Sequence, residues 1–107
     1  MKNPILNLNK AFENKVRLGV MAALMVNVKL SFNELKELLE LTDGNLASHL
    51  KALEKTEYIQ VTKSFIGRKP NTTYKISGLG KIEFEAHLKA LEELISQHNQ
   101  INSLDKR

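Results

Sequence analysis

Leu46, Leu50 and Leu53 recur at i, i+4 and i+7, the interval of one buried stripe on a helix. With those leucines turned inward, a rotation of about 100° per residue puts Gly44, Asn45, Ser48, Lys51, Ala52 and Lys55 on the outward arc. The chemistry such an arc could do is recognition of a polyanion that also carries hydrogen-bonding edges. Asn45 and Ser48 are short polar groups, and a carboxamide can pair bidentately with adenine. Gly44 allows close approach of backbone, while Lys51 and Lys55 are long cations suited to phosphate. The plainer reading is a solvated helix face, so the surrounding elements must decide. His49 lies at the edge of the leucine stripe, where it could fill the boundary between helices or offer a ring N–H to phosphate. A second basic group, Arg68 and Lys69, sits in the turn cluster Gly67-Arg68-Lys69-Pro70-Asn71, and Lys63 lies in the run before it. Cations there could clamp phosphates or enter a minor groove, or guard a hairpin edge against unwanted pairing.

No nucleophile–base pair stands at a convincing spacing. Gly78-Leu79-Gly80-Lys81 resembles a phosphate loop only superficially, since it lacks the earlier Gly, the following Ser or Thr and a preceding buried parallel strand. It reads as the start of a helix. A catalytic pocket would have to come from one small core, so an enzyme is not expected. The chain has no cysteine, which removes disulfides, thiolate metal sites and cysteine nucleophiles and suits a reducing cytoplasm.

The elements that must position these residues follow from bulk properties and periodicity. At 107 residues the chain is expected to be one domain, and 42% hydrophobic with 26% charged residues is ordinary for a globular protein. The net charge of +4 is unevenly spread: positions 42–75 carry six Lys/Arg against three acids, positions 78–107 four against five. The positive excess therefore avoids the C-terminal third. Met1 to Lys10 lacks the apolar core of a signal peptide, and no apolar run approaches the roughly 20 residues of a membrane span. A soluble, cytoplasmic protein is expected.

Phe12 to Val26 reads as a helix apolar on two faces, Val16, Val20 and Ala23 on one and Leu18, Met21 and Met25 on the other. Asn27 breaks it, and Lys29-Leu30 is an extended link. Ser31-Phe32-Asn33-Glu34 has the form of a capping box. The helix it opens, to about Glu40, should bury Leu35, Leu38 and Leu39. Thr42 or Asp43 caps a third helix to about Lys55. Ile59, Val61 and Phe65, then Thr72, Tyr74 and Ile76, alternate with polar residues as a two-stranded hairpin. Ser77 caps a last helix to about Asn102, whose stripe Phe84, Leu88, Leu91 and Ile95 continues through Leu94, His98 and Ile101. A domain this small has little beyond its first helix to cover that stripe. A homodimer interface on positions 78–104 is expected over packing within the chain alone. The fold class is mainly α with a small β-hairpin, in the order of a winged helix-turn-helix.

Four stretches together carry a resemblance: Glu13-Asn14-Lys15-Val16-Arg17-Leu18; Ser31-Phe32-Asn33-Glu34-Leu35; Leu41 through Glu54; and Lys63-Ser64-Phe65-Ile66-Gly67-Arg68-Lys69-Pro70. Over nearly its whole length the chain resembles the winged-helix regulators of the MarR/ArsR-like superfamily, in a short branch with a terminal helix. The resemblance implies a homodimer joined by terminal helices, double-stranded DNA read by the third helix, and a wing on the adjacent backbone. It turns His49 toward DNA and implies a transcriptional regulator acting as a repressor. It also leaves room for a small-molecule effector whose identity no residue specifies. Two departures stand out. Thr56-Glu57-Tyr58 occupies a turn where Gly is usual, and a left-handed Glu57 would cost on the order of 1 kcal/mol. Ser77-Gly78-Leu79-Gly80 replaces Thr-x-x-Gly. Glu85, His87 and His98 resemble part of a zinc site that some such sensors build between last helices, but Ile101 stands at the fourth ligand position. Polar residues at the rim of an interface are the expectation there, and no metal or other cofactor is assigned. A metal-responsive regulator, and a winged helix used for protein contact, are the alternatives; the polar, basic arc and wing count against the latter.

Overall fold

A computed structural model describes residues 3–105, with side chains through Gln97. Helix α1 (Lys15–Val26) starts three residues later than the apolar run, because the Asn14 side chain accepts from the amides of Val16 and Arg17 and so caps it. Phe12 instead ends a short 3-10 turn, Lys10–Phe12. α1 buries Val16, Val20 and Ala23 of the first expected face but only Met21 of the second, where Leu18 and Met25 are half-buried, and it buries Leu24 besides. Asn27 ends it in extended conformation, its side-chain N–H returning to the Ala23 carbonyl at 2.8 Å.

The extended link is a strand. β1 (Leu30–Ser31) pairs with β3, Leu30 opposite Tyr74 and Ser31 opposite Thr73, so the sheet has three strands in the order β1-β3-β2. Two residues carry no alternation, and only their partner reveals them. Helix α2 (Phe32–Leu39) opens on the expected box: Glu34 N–H donates to Ser31 Oγ at 3.1 Å, and Ser31 N–H donates to Glu34 Oε1 at 2.8 Å. Those bonds, the backbone one foremost, hold the Glu34 carboxyl below its ordinary value. Leu35 is buried and Leu39 half-buried, but Leu38 is exposed, contrary to expectation. The reason lies on α1, where a Cβ on Gly19 would stand 3.2 Å from Leu39 Cδ2. α1 thus closes over the Leu39 side and leaves Leu38 outward.

α2 stops on Glu40 at φ 53, and the Leu41 N–H reaches back to the Lys36 carbonyl at 3.0 Å. Lys36 Nζ then meets Asp43 Oδ1 at 2.7 Å across the turn. Thr42 caps helix α3 (Asp43–Lys55), which buries Leu46, Leu50 and Leu53 as their spacing required. Glu57 follows at φ 65, so the chain keeps a left-handed turn there despite the absent glycine, although its cost argues for a different geometry.

Strands β2 (Ile59–Ile66) and β3 (Lys69–Ile76) pair from Ile59 opposite Ile76 to Ile66 opposite Lys69. The connection is therefore two residues, Gly67 and Arg68, rather than the five-residue cluster. Gly67 at φ 64 supplies a glycine-first hairpin turn, whose twist matches that of the strands. Lys69, Pro70 and Asn71 belong to β3.

Helix α4 (Gly78–Asp105) docks through one junction. Ser77 N–H donates to the Tyr58 carbonyl at 3.0 Å; its hydroxyl donates to the Glu57 carbonyl at 2.7 Å and accepts from Gly80 N–H at 2.9 Å. A Cβ on Gly80 would fall inside the Tyr58 carbonyl oxygen's van der Waals envelope. The N-terminal segment lies along α4. Asn9 N–H donates to His87 Nδ1 at 2.9 Å, and Asn9 Nδ2 donates to the Tyr58 hydroxyl at 3.0 Å. Phe12, 2% exposed, has ring centroids 5.2 to 5.4 Å from Phe84, Tyr58 and His87. Phe84 is thus covered within the protomer, and His87 is a buried side chain rather than a rim residue; burial pushes its pKa down, with Glu13 opposing. At about 1.5 Å per residue the 28 residues of α4 span roughly 42 Å and account for most of the 67 Å long dimension. No helix among the described residues is long and apolar enough to cross a membrane.

Gly80→Ala should destabilise the fold by about 1–3 kcal/mol, because the Tyr58 backbone must move. Glu57→Gly should do the reverse, by a few tenths to about 1 kcal/mol, as strain relief exceeds the added chain entropy. Urea denaturation of both variants checks this. A pH effect follows as well. His87 and His49 both have folded pKa values below the ordinary 6.5, so the unfolded chain takes up protons first. Their contribution is complete above pH 6.5 and is lost as pH falls through the folded values. The melting temperature should decline below about pH 6.5, in that window, and His87→Gln should flatten the decline.

Candidate nucleic-acid interface

The outward side of α3 and one face of the hairpin enclose an open groove of about 1140 Å³. Its helix wall is Gly44, Ala47, Ser48, Lys51 and Lys55; its strand wall is Val61, Lys63, Thr72 and Tyr74. The strand wall follows from register: Val61 is opposite Tyr74 and Lys63 opposite Thr72, so alternate residues of each strand present one face. The Ile59–Ile76 pair on that face reaches the core, and the pairs beyond it become progressively open.

Lys51, Lys55 and Lys63 bring three cations to this groove, with Glu54 the one carboxylate among its lining residues. Among the described residues none of these lysines, nor Arg68 or Lys69, has an ion-pair partner within 4.0 Å. Burial first, and Glu54 second, push the Tyr74 phenol up. Gly44 faces open space, with nothing within 4 Å of a built Cβ, so no contact inside the protomer demands glycine there. Asn45 is exposed beside the groove; its backbone N–H goes to Thr42 Oγ1, and its carboxamide is left for solvent or a ligand. Ser48 is exposed too, with its hydroxyl donating to the Asn45 carbonyl at 3.1 Å, and its acceptor lone pairs remain available.

His49 is not part of this groove. It is half-buried, and its Nδ1 lies 3.1 Å from the Arg17 guanidinium, which also donates to the Ala11 carbonyl. Guanidinium has no acceptor, so Nδ1 must accept and the ring is neutral with its proton on Nε2. Burial foremost, then the Arg17 charge, hold its pKa down. Arg17 had no signal in the sequence beyond its charge, since the contact joins residues 32 positions apart. Ala47 could have been found: it lies about as far from the arc's centre as Asn45, but a small apolar residue suggests the core side.

The register separates the wing cations that the sequence grouped. Lys63 is on the groove face, Arg68 is at the turn, and Lys69, opposite Ile66, is on the reverse face. On α4, Leu88 and Ile95 are exposed and Leu91 and Leu94 half-buried, while Phe84 is inside the core. His98 and Ile101 lie outside the described side chains. His87 Nδ1 is occupied by Asn9 N–H, which removes that nitrogen from any ligand set with Glu85.

Comparison with known proteins agrees with this architecture. An uncharacterized protein of Methanocaldococcus jannaschii is 38% identical over 85 residues, 79% of this chain and 92% of its own. The structure of a transcriptional regulator homologue from Pyrococcus horikoshii superposes with a TM-score of 0.82 at 31% identity, covering 91% of this chain and 97% of that one. Bacillus subtilis PadR, solved with operator DNA, shares the fold at a TM-score of 0.63 and 17% identity, over 70% of this chain and 48% of its own. The Winged helix DNA-binding domain model matches residues 16–95. With the groove, the hairpin wing and the helix-turn-helix in that order, the chain belongs to the Winged helix DNA-binding domain family, a family of transcriptional regulators and not of enzymes.

Proposed function

We propose that the protein is a sequence-specific, double-stranded-DNA-binding regulator of transcription that acts as a dimeric repressor. The observation that carries this reading is the lysine-lined groove between α3 and the wing, open, without ion pairs among the described residues, and continuous with the polar start of α3. In this reading α3 enters the major groove. Asn45 and Ser48 meet base edges, and Gly44 and Ala47 let the helix backbone sit close. Lys51, Lys55 and Lys63 hold the flanking phosphates, where they displace condensed counterions. His49, neutral and anchored by Arg17, fixes α3 against α1 and keeps an Nε2–H as donor. Arg68 and Lys69 add charge at the wing end. The P. horikoshii homologue's description as a transcriptional regulator and the operator complex of PadR support the same assignment.

Dimerisation is proposed through α4, whose Leu88, Leu91, Leu94 and Ile95 leave the protomer body with no apolar cover equal to that over Phe84. Linking two reading helices about 34 Å apart would match two half-sites one turn of DNA from each other. The His87–Asn9 bond speaks against the metal-responsive alternative.

Duplexes enriched from a random pool by the wild-type protein provide the test. Asn45→Ala should cost about 1–3 kcal/mol on an enriched duplex and little on a scrambled one. Lys63→Ala should weaken both alike and lower the slope of log affinity against log salt by about one. Wild-type behaviour of both variants on both DNAs would overturn the assignment of this surface. Sedimentation should give a dimer at micromolar concentration, with Ile95→Asp shifting it to monomer and weakening binding to paired half-sites. Monomer from the wild type would exclude the dimer.

A further inference from the structure

The groove-facing side of the wing does not end in charge. Beyond Lys63 and Thr72, the next pair on the same face is Phe65 opposite Pro70. Phe65 is 71% exposed, and no ring contact holds it among the described residues. Ile66 on the reverse face is 68% exposed. An exposed aromatic ring on a narrow hairpin end is costly to solvate, and nothing in the protomer covers it. What surrounds it is positive: Lys63 precedes it on the same face, Arg68 follows at the turn, and neither is ion-paired among the described residues. A ring set among uncompensated cations fits a partner that is anionic outside and apolar within, the description of stacked bases behind phosphates.

We propose that Phe65, backed by Pro70, is an apolar wedge that enters the DNA minor groove next to the major groove read by α3 and partly unstacks one base step there. This rests on the DNA-binding reading above and adds to it a bent product and a preference for deformable sequence. Distance supports it. Phe65 is four residues along β2 from Val61 in the groove wall, about 14 Å at roughly 3.4 Å per residue. Half of a DNA turn of about 34 Å, the step from a major groove to the neighbouring minor groove, is roughly 17 Å. Wedging by Phe side chains kinks duplexes toward the major groove, and flexible pyrimidine–purine steps yield most easily. Arg68, three residues on at the turn, would reach the phosphates flanking the opened step and hold the wedge in place. The two-residue turn keeps the ring's position defined, since the strand pairing continues to Ile66 and Lys69.

The experiment measures bending and affinity on the enriched duplexes, with the step at the wing position set to TA or to a stiff A-tract, for wild type, Phe65→Leu and Phe65→Ser. The ring is exposed, so both variants should fold; circular dichroism and melting check this directly. Wild type should bend the TA duplex in a circular-permutation gel assay and prefer it to the A-tract. Phe65→Ser should abolish the bend and the preference and lower affinity for the TA duplex about tenfold, with Phe65→Leu intermediate. A Phe65→Ser protein that bends and discriminates like wild type would overturn the wedge, as would a wild type that binds tightly to straight DNA. Failure of wild type to enrich any duplex is a different result. It removes the DNA-binding reading beneath the wedge, whereas tight, unbent binding removes the wedge alone.

Discussion

The approach of Gly80 to the Tyr58 carbonyl is the constraint on which the arrangement depends. Three elements meet within the turn at residues 56–58: α3 ends there, β2 leaves it, and α4 is hydrogen-bonded to it through Ser77. Only a residue without Cβ lets the first turn of α4 lie against that backbone, and the Ser77 hydroxyl satisfies one carbonyl and one amide in the same contact. The direction in which the wing departs from α3, and so the width of the groove between them, is decided at this point. Glu57 in the left-handed region is the cost of making the turn so tight.

The same turn also fixes the far side of the molecule. Tyr58 faces Phe12, and its hydroxyl accepts from Asn9, so the N-terminal segment, the wing root and α4 share one aromatic cluster with Phe84 and His87. Edge-to-face and tilted rings are worth about 0.5–1.5 kcal/mol per pair beyond their burial, and they fix orientation as well as contact. A single buried acceptor, His87 Nδ1, satisfies an otherwise unpaired amide in that cluster. The terminal helix is thereby held rigidly to the body that carries α3. Under the proposed dimer, such rigidity would hold two reading helices at a set spacing.

Charge is distributed in accord with this mechanical division. The stretch 42–75 has a net charge of +3 and the stretch 78–107 of −1. In the fold the positive part becomes a groove and a wing, both open, and the balanced part through Asp105 is a helix with an apolar edge. Like charges gathered in a concave surface, three lysines against the single carboxylate of Glu54, raise the potential there and oppose folding slightly. That combination is typical of a surface whose counter-charge belongs to another molecule.

What could be read in the sequence was local. The capping box at Ser31 and Glu34, the leucine stripe of α3 and the order of the main elements are set by contacts within a few residues, whose geometry is nearly independent of the rest. The outward arc of α3 was legible for the same reason, since a helix's period fixes one face once the other is buried. Tertiary structure decided whatever depended on a distant partner. β1 is a strand only because Tyr74 and Thr73 lie beside it, and Leu38 is outward only because Gly19 admits Leu39. His49 is anchored to α1 by Arg17, and Phe84 and His87 turned inward because Phe12 and Asn9 fold back over α4. The division of Lys63 from Lys69 needed the strand register, in which a shift of one residue exchanges the two faces. Periodicity specifies which residues share a face; only packing specifies what that face meets.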